Sequence, residues 1–289
     1  MKITKLNDIF VIDSGALNTV FIDTDSGVTL FDTCLNVDTA KKLNKAIGKD
    51  VVAVLNTHSH ADHIGGNSFF ESRYGCKTYI HKNELSFCSL TELESALLYG
   101  GASFKKAKSK FLCAKSINNV STLDNLENKD IEVVELFGHS PGHCGFKINN
   151  TLYAGDAIFS KEVIEKHKIL YIYDVKEYIN SLYKLKEIEF ENIIFCHKGI
   201  LSKDEANSLI DENLNHTITV GNMIRDTLKK RPLITGEDIS ADLMKDLNIP
   251  FEIEYFLLVS STIKGYLKYL EDIEKVAPVI DNGVKWKLL

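Results

Sequence analysis

The segment Thr57-His58-Ser59-His60-Ala61-Asp62-His63 constrains this chain more than any other feature. It places three imidazoles and a carboxylate side by side, directly after the apolar run Val51–Leu55. Such a segment cannot be ordinary core, because four polar side chains would each need a partner in a very small volume. Two metal ions would meet that demand together, since imidazole and carboxylate are suitable ligands for zinc, manganese or iron. A short loop at a strand end lets His58 and His60 face one metal while Asp62 and His63 face a second. The plain alternative is a solvated histidine-rich loop.

Three later features count against that alternative. His139 lies in Gly-His-Ser-Pro-Gly-His, after the expected strand Ile131–Phe137. Asp156 lies in Leu-Tyr-Ala-Gly-Asp, past the strand Thr151–Tyr153. His197 follows the strand Ile193–Cys196. Each donor stands where an apolar run breaks, so strands ending on one sheet edge would gather them with the first cluster. His143, four residues after His139, is expected to be structural or to support a ligand, with direct ligation as the alternative. His81 is read as a non-ligand, His167 and His216 as surface residues, and Lys198 as a solvated lysine with an anionic substrate as the alternative.

The surrounding pattern fits a sizeable α/β domain. A chain of 289 residues, 44% hydrophobic and 26% charged, is long enough for one large domain or a large one with a small companion. Ile9–Ile12, Val20–Asp23 and Val28–Phe31 are β-rich, Val37–Ile47 has apolar residues at helical spacing with Gly48 as a stop, and Val51–Leu55 reads as a buried strand. Residues 84–116 look helical and irregularly apolar, a natural lid with Tyr99-Gly100-Gly101 as a hinge-like element. From Ser202 the pattern is helix to Lys230, helix from the cap Thr235, helix over Glu254–Lys275, then a hairpin turning at Asn282-Gly283. No apolar run could span a bilayer and the first residues do not read as a signal peptide. The six cysteines show no CxxC pair, so free thiols in a reducing cytoplasm are expected.

The residues His58, His60, Asp62, His63, His139, Asp156 and His197 together resemble the metallo-β-lactamase superfamily, whose pattern is HxHxDH after a strand, then a lone His, a lone Asp and a last His. Leu30-Phe31-Asp32-Thr33 and Gly65-Gly66-Asn67 extend the likeness, which covers roughly residues 1–200. Cys34 and Cys196 depart from it, standing where glycine is common. The resemblance implies an αβ/βα sandwich over residues 1–201, and a winged-helix-like, mainly helical tail over 202–289. It implies two divalent ions, most simply zinc, with manganese or iron as alternatives. His58, His60 and His139 would hold the first, Asp62, His63 and His197 the second, and Asp156 would bridge them about 3.5–4 Å apart. Asp32 and Thr57 would brace the histidines. The implied chemistry is hydrolysis of a small ester, thioester or lactone by a hydroxide between the metals, with Asp62 managing its proton. A metal-dependent endoribonuclease, a single-iron persulfide dioxygenase and a non-catalytic metal-binding protein are the alternatives. From Ser202 on, eleven Lys and Arg face fifteen Asp and Glu, which disfavours a nucleic-acid partner.

Overall fold

The computed structural model describes residues 1–15, 17–197 and 199–289, and in it two mixed sheets pack face to face. The first sheet runs in chain order through β1 (Lys2–Leu6), β2 (Ile9–Asp13), β3 (Asn18–Thr24), β4 (Gly27–Phe31), β5 (Val51–Leu55), β6 (Lys77–Ile80) and β7 (Val120–Thr122). The hairpin-linked strands β1 to β4 are antiparallel, and β4 to β7 are parallel. The β3–β4 turn depends on Gly27, because a Cβ there would lie 2.5 Å from the Asp50 carbonyl oxygen. Between β4 and β5 the chain forms α1 (Val37–Ile47), capped by the Asn36 side chain on Thr39 N and ended by Gly48 at φ 69°. Its Ala40, Leu43 and Ile47 are buried, as their spacing predicts. Truncating Leu43 to alanine would cost about 2–5 kcal/mol.

After β5 come the one-turn helix α2 (Ala61–Ile64) and α3 (Asn67–Tyr74). The stretch expected to be helical over 84–116 is broken up: α4 (Leu85–Ser89) and α5 (Glu92–Tyr99) are short, and the rest is mostly irregular. Gly100, at φ 85°, ends α5. Leu98, Ala107 and Leu112 pack with Leu257 of the C-terminal region, which anchors the insert on that side.

The second sheet has the order β12-β11-β10-β9-β8, formed by β8 (Ile131–Glu135), β9 (Cys144–Ile148), β10 (Thr151–Tyr153), β11 (Asn192–Phe195) and β12 (Gly199–Ser202). Phe31 of the first sheet meets Phe146 and Tyr153 of the second at ring-centroid distances of 5.1 and 6.2 Å, at the centre of the sandwich. The other face of the second sheet is covered by α6 (Lys161–His167), α7 (Val175–Glu187) and the long α8 (Lys203–Lys230). That apolar layer continues without a break into β13 (Ile234–Thr235), α9 (Gly236–Asp246), α10 (Ile253–Asp272), β14 (Val276–Ile280) and β15 (Val284–Leu288). Thr235 caps α9 as its sequence indicates, and β13, β15 and β14 form a small antiparallel sheet. No helix among the described residues is long and apolar enough to cross a membrane.

Candidate metal centre

The C-terminal ends of β4, β5, β10 and β11 open on one edge of the sandwich, and the loop after β8 joins them there. All seven donors named from sequence converge at that edge. His58 Nε2, His60 Nδ1 and His139 Nε2 form one group, with 2.8 Å between the first two and 3.0 Å between the last two. Asp62, His63 and His197 form a second group, in which the Asp62 Oδ2 lies 3.7 Å from His63 Nε2 and 3.5 Å from His197 Nε2. Asp156 Oδ2 stands between the groups, 3.7 Å from His139 Nε2, 3.5 Å from His63 Nε2 and 3.3 Å from His197 Nε2.

The hydrogen bonds behind these side chains decide which nitrogen faces inward. Asp32 is fully buried at the end of β4 and accepts from Thr57 N, Thr57 Oγ1, Tyr153 Oη and His63 Nδ1 at 2.8–3.0 Å. That carboxylate holds the proton of His63 on Nδ1 and leaves Nε2 aimed at the centre. Thr57 gives its hydroxyl proton to Asp32 and can then accept from His58 Nδ1, 3.0 Å away, which frees His58 Nε2. His139 Nδ1 is 3.0 Å from the Tyr171 carbonyl oxygen, which frees its Nε2 in the same way. His60 is turned the other way round: its Nε2 faces Glu94 of α5 at 3.5 Å, so its Nδ1 points inward.

The electrostatics follow from burial and from two carboxylates. Burial drives His60 down to about 4 and His139 down to about 3, so both are neutral bases near pH 7. The Asp156 charge raises His197 to about 10, against the opposing effect of burial. Burial opposes a charge on Asp156, yet His197 and His63 keep it ionised. His63 Nε2 and Asp156 Oδ1 are buried and have no hydrogen-bond partner. Burial also holds His58 well below the usual histidine range, and an unpartnered His63 Nε2 and Asp156 carboxylate oxygen beside three neutral imidazoles suit divalent cations, so the side chains fit the metal pair implied by the sequence. Asp62 and His197 keep 39% and 28% of their side chains exposed, against 15% for His60 and 4% for His139 of the first group, so the centre opens on the second group's side.

The other histidines are also settled by geometry. His143 Nε2 accepts from Asp156 N at 2.9 Å and its Nδ1 meets the Leu136 carbonyl at 3.1 Å, so both nitrogens are engaged and it is structural. His81 Nδ1 caps Asn83 N, away from the centre. His167 and His216, read as surface residues, are half-buried, because α6 packs against α8. Lys198 lies outside the described residues. Cys196 turns its sulfur to the back of His63, 3.8 Å from Nδ1 and 2.9 Å from Tyr153 Oη, not toward the inward-facing nitrogens. Cys34 has φ 66°, a left-handed conformation that explains why glycine is common at that position. None of the six cysteines is in a disulfide.

Three contributors escaped the sequence reading. Glu84 and Glu94 both lie in the insert, where a carboxylate next to apolar residues looks like a solvated helix face. Both are buried. Burial, reinforced by the neighbouring Glu84 charge, raises Glu94 to about 8. Tyr153 passes for a core aromatic, and only its hydroxyl contact with Asp32 reveals a further task.

Comparison with known proteins agrees with this geometry. The sequence profile of the Metallo-beta-lactamase superfamily matches residues 13–197. A probable metallo-hydrolase from Bacillus subtilis (strain 168) is 29% identical over 170 residues, which are 57% of this chain and 73% of that protein. A hydroxyacylglutathione hydrolase from Pelagibacter ubique is 24% identical over 217 residues, 68% of this chain and 80% of that one. The crystal structure of a metallo-beta-lactamase family protein from Thermus thermophilus superposes with a TM-score of 0.71 at 19% identity, covering 98% of this chain and 99% of that one. The matched profile spans the strand ends that carry all seven donors, and the chain belongs to the metallo-β-lactamase superfamily of metal-dependent hydrolases.

Proposed function

We propose that this protein is a two-metal hydrolase, most simply a dizinc enzyme, acting on a small thioester or a related ester or lactone. The observation that carries the reading is Asp156 Oδ2 lying within 3.3–3.7 Å of ligand nitrogens from both donor groups. One carboxylate oxygen so placed suits a bridge between two cations. His58, His60 and His139 would hold one ion and Asp62, His63 and His197 the other. Bound there, the ions would supply a nucleophile from water near neutral pH and polarise the carbonyl under attack.

The chain's own residues do the rest. Asp32, Thr57 and the Tyr171 carbonyl fix the tautomers of His63, His58 and His139, so little reorganisation precedes reaction. Asp62 lies on the open side and keeps its carboxylate ionised; burial works against that charge, and His63 and His197 outweigh it. It is therefore placed to take the nucleophile's proton and return it to the departing group. The thioester class is favoured because the Pelagibacter relative, by its name, acts on an acylglutathione. Residues 202–289 are read as a winged-helix-like module: their element order is helix, short strand, two helices and a hairpin. Their excess of acidic residues makes a wall of the active site a better reading than a nucleic-acid surface. A cytoplasmic setting suits the free thiols.

The test is turnover of a panel of thioesters, lactones, phosphodiesters and single-stranded RNA by protein of known metal content. Thioester or lactone hydrolysis that stops with a chelator and returns with zinc supports the reading. Cleavage of RNA alone would favour the endoribonuclease, and dioxygen uptake with a persulfide would favour the single-iron dioxygenase.

A further inference from the structure

Glu84 lies in the 3-10 turn Lys82–Glu84, just before α4, and its side chain is completely buried. Its hydrogen bonds go to none of the seven candidate ligands. Its Oε2 accepts a hydrogen bond from Ser59 Oγ, and its Oε1 accepts from Ser140 Oγ at 2.6 Å and from Gly142 N at 2.7 Å. Ser59 sits between His58 and His60, and Ser140 directly follows His139. These two loops leave different sheets, one after β5 and the other after β8, and the first donor group draws on both. The neighbouring Asn83 reinforces the tie by donating its Nδ2 to the Pro141 carbonyl at 3.1 Å. Close packing demands glycine at 142, since a Cβ there would stand 2.6 Å from His81 Nδ1 and 2.9 Å from Glu84 Cγ.

We infer that Glu84 is a positioning residue for the first metal site: one buried carboxylate joins the loop of His58 and His60 to the loop of His139 and fixes the spacing of the three ligand nitrogens. The inference rests on the two-metal reading above. It makes the start of the insert a fixed part of the centre. A carboxylate is suited to the task because all three contacts are donors, and an ionised group accepts three hydrogen bonds without having to offer one. Removing it would leave two hydroxyls and one N–H buried without their acceptor, and the loops would be free to separate.

The experiment compares wild type with Glu84→Ala and Glu84→Gln. Zinc affinity is measured by chelator competition, the visible spectrum after cobalt substitution, and kcat and KM on an accepted thioester. Glu84→Ala should bind the first zinc about 10–100-fold more weakly, with an altered cobalt spectrum and a fall in kcat larger than any change in KM. In Glu84→Gln the amide oxygen can keep Ser140 and Gly142 while the amide NH2 donates to Ser59, so affinity and spectrum should return close to wild type. A Glu84→Ala protein that melts earlier but keeps wild-type zinc affinity and spectrum would reduce Glu84 to a brace and overturn the inference. If Glu84→Ala does not fold, the pair Ser59→Ala and Ser140→Ala decides: combined, they should weaken zinc binding, and unchanged binding would overturn it. Wild type that binds no divalent metal would reject the two-metal reading itself, and this inference with it.

Discussion

Replacing Asp32 with asparagine tests how the fold prepares its metal ligands. In the native protein the Asp32 Oδ2 accepts from Thr57 Oγ1, Tyr153 Oη and His63 Nδ1, and the Oδ1 accepts from Thr57 N and Asn56 Nδ2. Asparagine keeps the volume and tolerates the φ of 58° at this position. With its oxygen on the Oδ1 side, the Thr57 and Asn56 bonds survive. Its NH2 then faces three former donors. The two hydroxyls can rotate to accept, but the His63 Nδ1–H cannot. One buried donor left unpaired costs about 1–3 kcal/mol. At about 2–4 °C per kcal/mol for a large domain, the melting temperature should drop by roughly 2–12 °C. His63 has a way out, which is to move its proton to Nε2, the nitrogen needed at the centre. Zinc affinity of the second site should therefore fall about 10–100-fold, and the first site should weaken as well, because the Thr57 hydroxyl loses Asp32 as its acceptor and can turn its proton on His58 Nδ1. Scanning calorimetry with and without zinc, together with chelator competition, reads both quantities. A lower melting temperature with unchanged second-site affinity would refute the tautomer argument, because Asp32 would then only stabilise the loop.

Asp62→Ala should keep the circular dichroism of wild type and the first site's metal, yet lose about 10²–10⁴-fold in turnover, as measured on the best panel substrate; retention of full activity would remove Asp62 from its proposed role. The two sites should also differ in pH dependence. With His60 at about 4 and His139 at about 3, the first group carries no proton to displace above about pH 5, so its zinc affinity should be nearly flat from there upward. His197, raised to about 10 by Asp156, keeps its proton below that pH and loses it above, and His63 is likewise raised, burial being outweighed by Asp62 and its other anionic neighbours, so second-site affinity should climb as pH rises, by up to about tenfold per unit for each proton displaced. Zinc titrations at pH 6, 7 and 8 check this, and parallel slopes at the two sites would contradict it. Cys196→Ala should leave metal content unchanged and cost only about 1 kcal/mol through the lost Tyr153 contact; loss of metal would make the sulfur a ligand.

The donors were legible because metal chemistry forces particular residue types to particular strand ends. A histidine or aspartate just beyond an apolar run is conspicuous, and three such breaks after the Thr57–His63 segment point to one edge. Asp32 and Thr57 were legible through the resemblance to the family, not from spacing alone. The helix at Val37–Ile47 and the hairpin at Asn282-Gly283 could be read from local rules, apolar spacing in one case and turn chemistry in the other. Glu84, Glu94 and Tyr153 could not, because their roles come from contacts across the fold: Ser140 lies 56 residues from Glu84, and Asp32 lies 121 residues from Tyr153. The insert was expected to be helical from its apolar content, but its helices are short. Gly100 ends α5, and the following segment spends its apolar residues on tertiary contacts with Leu257. Polar neighbours alone point His167 and His216 to the surface, a rule that ignores which helix lies alongside.

Zinc titration of metal-free protein, with thioester turnover measured at each step, decides whether the seven side chains hold two metals that drive hydrolysis. Two ions should bind per chain, with activity appearing as the second site fills and vanishing in Asp156→Ala. Saturation at one ion per chain, with turnover indifferent to Asp156 or with dioxygen consumed in place of water, would contradict it.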